Sequence, residues 1–147
     1  MMNGNFNDRR KTMKQIIFSI LILLTITGCS RRLPEDELHL TREKLGNYLV
    51  NHAMTQSEMT ILSQYMLQLA NMEKYQIEYR IWNQPGYEQI EKTFRADCEA
   101  WEKLAEAEAN KPGEFEGGSM APCDHNLRMT DFVQKRIDEL RRKWLQK

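Results

Sequence analysis

Three cysteines, three histidines and 21 carboxylates are the side chains of this 147-residue sequence with the most obvious chemical potential. His39, His52 and His125 fall on separate segments, and none has a serine or cysteine nucleophile at a motif spacing. Cys123-Asp124-His125 is a tight cluster of potential ligands. A zinc site needs three or four ligands in recognisable pairs such as Cys-x-x-Cys, and no second pair exists. A disulfide cysteine beside a turn-capping aspartate is the better reading. The acids from Glu99 to Glu108 lack the Glu-x-x-His pairs that build carboxylate-bridged metal sites in bundles, so they read as a solvated face. No catalytic set, metal site or cofactor is expected. Glu114-Phe115-Glu116-Gly117-Gly118-Ser119 is different: its glycines permit close backbone approach, its aromatic could anchor a partner, and its two acids would complement a basic surface. The alternative is a helix connection that merely needs glycine.

The remaining cysteine, Cys29, ends the apolar run Ile16–Gly28, with Lys11 and Lys14 ahead of it. A positive start, a short apolar core and small residues before the cysteine make a secretory signal. The run spans roughly a dozen residues, whereas a membrane-crossing helix needs about 20. An uncleaved anchor with an incidental cysteine is the alternative, and the short core argues against it. Ile26-Thr27-Gly28-Cys29 resembles the bacterial lipobox. That resemblance implies that the leader, residues 1–28, is cut off and that Cys29 carries the lipid. Met13 is a plausible true start, because Met13-Lys14-Gln15 and the apolar core form a compact leader by themselves. Ser30 to Leu33 would be a short tether. A serine rather than an aspartate after the cysteine resembles enterobacterial-type outer-membrane cargo, facing the periplasm.

Cleavage before Cys29 leaves 119 residues, enough for one small domain. The whole chain balances 21 basic against 21 acidic residues; losing Arg9, Arg10, Lys11 and Lys14 against Asp8 leaves a net charge of −3. No block of like charge suggests phosphate-backbone binding, so nucleic acid is not an expected partner. Cys98 and Cys123 would then sit in a compartment where disulfides persist, and pairing them is the default expectation. The closed loop of about 25 residues would contribute on the order of 3 kcal/mol. Two free thiols are the alternative, since spacing alone does not show that side chains meet.

The elements that must position these groups read as helices. Pro34-Glu35-Asp36-Glu37 has the proline and acids of a helix start, with Leu38, Leu45 and Leu49 as an apolar stripe ending near His52 and Gly46 weakening it. Thr55-Gln56-Ser57-Glu58 is a capping box. Behind it Met59, Leu62, Met66, Leu69 and Met72 keep helical spacing, which Tyr75, Tyr79 and Trp82 continue until Pro85-Gly86. Met54, Met59, Met66 and Met72 read as core filler. A third helix is predicted from about Tyr87 to Asn110, burying Tyr87, Ile90, Phe94, Cys98, Trp101 and Ala105. Pro112-Gly113 stops it, Glu114 to His125 reads as a loop, and a last helix is predicted from about Asn126 through Val133, Ile137, Leu140 and Trp144. Arg141, Arg142, Lys143 and Lys147 gather at its end, where cations suit the helix dipole. The expected fold for residues 34–147 is all-α, with three to four antiparallel helices in one small domain.

Thr55-Gln56-Ser57-Glu58-Met59, Arg95 through Ala100-Trp101, Gly117-Gly118-Ser119, and Arg136 with Leu140 are together similar to the LprI-like family, over roughly residues 55–142. That family comprises small secreted or lipid-anchored bacterial helical domains, and its named member inhibits host lysozyme. Its usual cysteines lie a few residues after the tryptophan and at the start of the last helix. Here Glu108 and Arg128 stand near those places and the cysteines come earlier. Two functions follow as expectations. The preferred one is a non-enzymatic, lipid-anchored envelope protein that binds a protein partner or is structural. The alternative is a lysozyme inhibitor acting through the Glu114–Ser119 loop.

Overall fold

The computed structural model describes residues 35–52 and 55–145. The leader, Cys29 and the tether lie outside the described residues. Four helices account for most of the rest: α1 (Glu35–Asn51), α2 (Gln56–Trp82), α3 (Tyr87–Ala109) and α4 (Ala121–Leu140). A turn of π-helix, Arg141–Leu145, continues α4. No strand occurs among the described residues, so the fold is all-α, as the helical periodicities require.

Local chemistry sets the helix ends. Thr55 Oγ1 accepts from the Glu58 backbone N–H at 3.3 Å, and the Glu58 carboxylate accepts from the Thr55 N–H at 2.9 Å. This reciprocal pair satisfies two amides that a helix start otherwise leaves unbonded. Gly86, at φ 80°, makes the left-handed turn between α2 and α3 that a residue with a side chain rarely adopts. The last helix begins five residues before the predicted start at Asn126. Pro122 lies in its first turn, where a missing N–H costs nothing, and Asp124 faces the positive end of the dipole. Cys123, Asp124 and His125 are therefore helical and not part of a loop.

Side-chain contacts give the helix directions. Arg42 meets Glu73, and a Cβ added at Gly46 would meet Met66, so α1 runs against α2. Trp82 meets Phe94 while Lys74 meets Trp101, so α3 also runs against α2. Glu108 meets Arg128 and Trp101 meets Phe132, so α4 runs against α3 and alongside α2. α2 is the hub, packed on α1, α3, α4 and the π turn. The core gathers Ala70, Ile77 and Ile81 of α2, Phe94 of α3, and Val133, Ile137, Leu140 and Trp144. Phe94 is its centre, in edge-to-face contact with Trp144 at 5.2 Å, Tyr87 at 6.2 Å and Trp82 at 6.5 Å. Of the predicted leucine stripe of α1, Leu38 and Leu45 are buried and Leu49 is half-buried. No helix among the described residues is long and apolar enough to cross a membrane.

Candidate functional site

α2 is held in place by charges as much as by hydrocarbon. Glu73 is fully buried, yet Arg42 of α1 reaches one of its oxygens at 2.6 Å and Arg141 of the π turn reaches the other at 2.8 Å. Arg42 also donates to Gln134 of α4, so three helices and the π turn close on one carboxylate. The next residue, buried Lys74, pairs with Glu78 one turn on at 3.2 Å and lies over the rings of Tyr75 and Trp101. Across the α3–α4 seam, Arg136 pairs with Asp97 at 2.7 Å, and Lys143 donates to the same carboxylate. Burial pushes the Asp97 carboxyl up, but hydrogen bonds from Lys143 and Arg136 outweigh it and leave the group below its ordinary value. Two of the terminal cations, Arg141 and Lys143, are thus built into the fold.

Because positions 69, 70, 73, 74, 77, 78 and 81 of α2 face inward, a different set of residues faces outward. Tyr75, Tyr79 and Trp82, predicted to continue the buried stripe, are instead 61%, 43% and 48% exposed, and Ile61 is 41% exposed. They belong to a single row, Ile61, Tyr65, Gln68, Met72, Tyr75, Tyr79 and Trp82, stepping by four and three in strict alternation. That is the 3.5-residue repeat with which helices meet other helices. Every residue of the row is uncharged, in a chain of which 29% is charged. Aromatics and methionine with charge excluded are the composition of a protein-contact surface. The prediction failed because it assigned every apolar residue of α2 to one face. The signal that could have found the second face was the separate seven-residue phase of Ile61, Gln68, Tyr75 and Trp82.

The Glu114–Ser119 loop is exposed along its whole length and yet tied down. The Gly118 N–H donates to the Phe115 carbonyl at 2.9 Å, Gly117 adopts φ 72°, and the Gln56 side chain donates to the Ser119 carbonyl. At the root of the loop, Arg128 donates to Glu108 Oε1 at 2.9 Å and to the Lys111 carbonyl at 3.0 Å. Hydrogen bonds from Lys111 and Arg128 hold the Glu108 carboxyl below its usual range. An open hollow of about 350 Å³ lies here, lined among others by Lys111, Glu116, Asp124, His125 and Arg128. A second, of about 510 Å³, lies beside Asp36, His39, Leu40 and Arg141.

The cysteines do not meet the expectation of a bridge. Cys98 and Cys123 are free thiols, half-buried and buried respectively. Cys98 Sγ accepts from Arg136 at 3.8 Å, and Cys123 lies 13 residues before Arg136 on α4, about 20 Å along the helix axis. An arginine side chain closes only part of that gap, and a disulfide needs Cα atoms within about 7 Å. Burial, with the nearby Glu78 charge, pushes the Cys98 thiol up, which keeps it protonated and a poor nucleophile. The histidines stay apart: His39 is 3.9 Å from Glu73, His52 stacks on Tyr48, and His125 lines the first hollow. Among the described residues no three His, Cys, Asp or Glu side chains gather as a metal-holding group. Set against protein-family models, curated proteins and solved structures, the chain matches none.

Proposed function

We propose that this chain is a lipid-anchored bacterial envelope protein that works by binding another protein and not by catalysis. The observation that carries the binding is the uncharged 3.5-repeat row on α2, in which Ile61, Gln68, Tyr75, Tyr79 and Trp82 are exposed and Tyr65 and Met72 half-buried, presented by a helix whose opposite side is locked by buried ion pairs. Anchoring rests on Ile26-Thr27-Gly28-Cys29, which resembles the bacterial lipobox and follows the short apolar core of a secretory signal. With lipid on Cys29, the six peptide units to Glu35 reach at most about 20 Å. The bundle is then confined to the membrane surface, where a modest contact area suffices because tethering raises the effective concentration. By its resemblance to enterobacterial-type cargo, Ser30 after the lipidated cysteine supports the outer membrane, facing the periplasm.

The test is fractionation of the full chain in a Gram-negative host. Wild type should sediment with outer membranes, and Cys29→Ala should leave them. A Cys29→Ala chain that sediments like wild type overturns the anchoring.

The loop supports a second reading, inhibition of a cationic lysozyme. Phe115 is 46% exposed between two exposed acids, Glu114 and Glu116, on a turn held by its own hydrogen bonds. Opposite charge would speed encounter and the aromatic would enter the cleft. Micromolar protein should slow peptidoglycan clearing by lysozyme at low salt, and Glu114→Gln with Glu116→Gln should relieve it. No slowing at that concentration overturns this reading.

A further inference from the structure

We infer that the end of the bundle carrying Trp82 rests on the phospholipid surface that holds the anchor, with α2 standing away from it; the inference rests on the anchoring reading above. The tether joins the bundle at Glu35, the first residue of α1. Arg42 meets Glu73 and Gly46 faces Met66, which fixes the register of α1 against α2. Glu35 then lies about 10 Å beyond the Arg42–Glu73 contact, and Trp82 about 14 Å beyond it in the same direction. The tether therefore leaves the bundle level with the end of α2.

The exposed aromatics gather at that level. Of the tyrosines and tryptophans among the described residues, only Tyr75, Tyr79 and Trp82 are exposed, all within the last eight residues of α2. Such rings, apolar in body and polar at one edge, settle where headgroups meet hydrocarbon. The exposed charges around this end are of both signs, with Asp36, Glu37 and Glu88 among the acids and Arg80, Lys92 and Arg142 among the cations. That mixture suits zwitterionic headgroups, whereas an anionic surface would call for cations alone. A headgroup layer is roughly 5–7 Å deep on each face of a bilayer. With Trp82 in it, Tyr79 is about 5 Å higher along α2 and still within the layer, while Tyr75 is about 10 Å higher and clears it. The row from Ile61 to Tyr75 stays open to the protein partner. The lipid contact is small, and it suffices because the tether keeps its effective concentration high.

The experiment puts the full chain, purified from host membranes, into vesicles of phosphatidylethanolamine and phosphatidylcholine, with or without bromine on the acyl chains near the headgroup. Brominated vesicles should quench the tryptophan fluorescence. Trp82→Phe should remove at least about half of that quenching, because Trp101 is half-buried and Trp144 buried. On the Trp82→Phe background, Tyr79→Trp should restore quenching and Gln68→Trp should not. No quenching in a chain that floats with the vesicles, or equal quenching in wild type and Trp82→Phe, overturns the inference and leaves the anchoring standing. Restoration by Gln68→Trp lays α2 flat and overturns the upright placement. A chain that does not float with the vesicles overturns the anchoring as well.

Discussion

Glu73→Gln removes one charge with almost no change in shape, and it isolates the node that binds α1 to the bundle. At an effective dielectric of about 20, the Arg42 and Arg141 contacts, at 2.6 and 2.8 Å, are each about 6 kcal/mol of attraction. Desolvating three charges offsets most of it, which is why intact buried pairs contribute little net stability. Removing one member is another matter, because the remaining charges stay desolvated without a partner at a cost of about 3–5 kcal/mol. Arg141 is one-third exposed and can turn to water, whereas Arg42 is 8% exposed and cannot. The lower figure, about 3 kcal/mol, therefore applies. At about 4 °C per kcal/mol for a domain of this size, the thermal midpoint should fall by about 12 °C. Urea unfolding followed by circular dichroism measures the free-energy loss and a thermal scan the midpoint, and hydrogen exchange should show α1 losing protection before α2. A loss under 0.5 kcal/mol would mean that water solvates the node and would refute the reasoning.

Asp97→Asn should destabilise at neutral pH and progressively less in acid. A carboxyl lowered in the folded state contributes stability above its unfolded value, near 3.8, and loses it as pH falls through the folded value. Urea midpoints at pH 7 and pH 3 that differ from wild type by the same amount would contradict this. Gly46→Ala should stabilise by about 0.5–1 kcal/mol, since the new methyl meets only Met66 Cε at an ordinary 3.5 Å and the unfolded chain loses freedom; a lower urea midpoint would count against the α1–α2 packing described. Alkylation of the denatured, unreduced chain should label both Cys98 and Cys123, and a two-dalton deficit with no label would show a bridge between them. In the native chain Cys98 should react with iodoacetamide more slowly than a free thiol at neutral pH, because its thiol is shifted upward; equal rates would oppose that shift.

Helix existence was legible because the punctuation is local: the Thr55–Glu58 box, Pro85-Gly86 and Pro112-Gly113 act over three or four residues. The α3 face was legible too, since Phe94 and its apolar neighbours alternate with charges that have nowhere to go but water. The α2 face was not. Its buried side contains Glu73, Lys74 and Glu78, whose partners Arg42 and Arg141 lie 31 and 68 residues away or, for the Lys74–Glu78 pair, within the helix itself. No local rule places a charge inside, so the aromatics were assigned inward in their stead. The start of α4 was missed for a smaller reason. Gly117 and Gly118 marked the loop clearly, but Pro122 reads equally well as loop or as first helical turn. The cysteine pairing depended on the axial register of α3 and α4, which spacing along one chain does not encode.

Anchoring of the bundle is the claim on which the reading as an envelope protein depends, and the mass of the amino-terminal peptide of membrane-purified protein tests it most directly. The account predicts a peptide that begins at Cys29 and carries a diacylglyceryl group on its sulfur and an acyl chain on its amine. A peptide that runs on into residues 1–28, with Cys29 as an unmodified thiol, would contradict it.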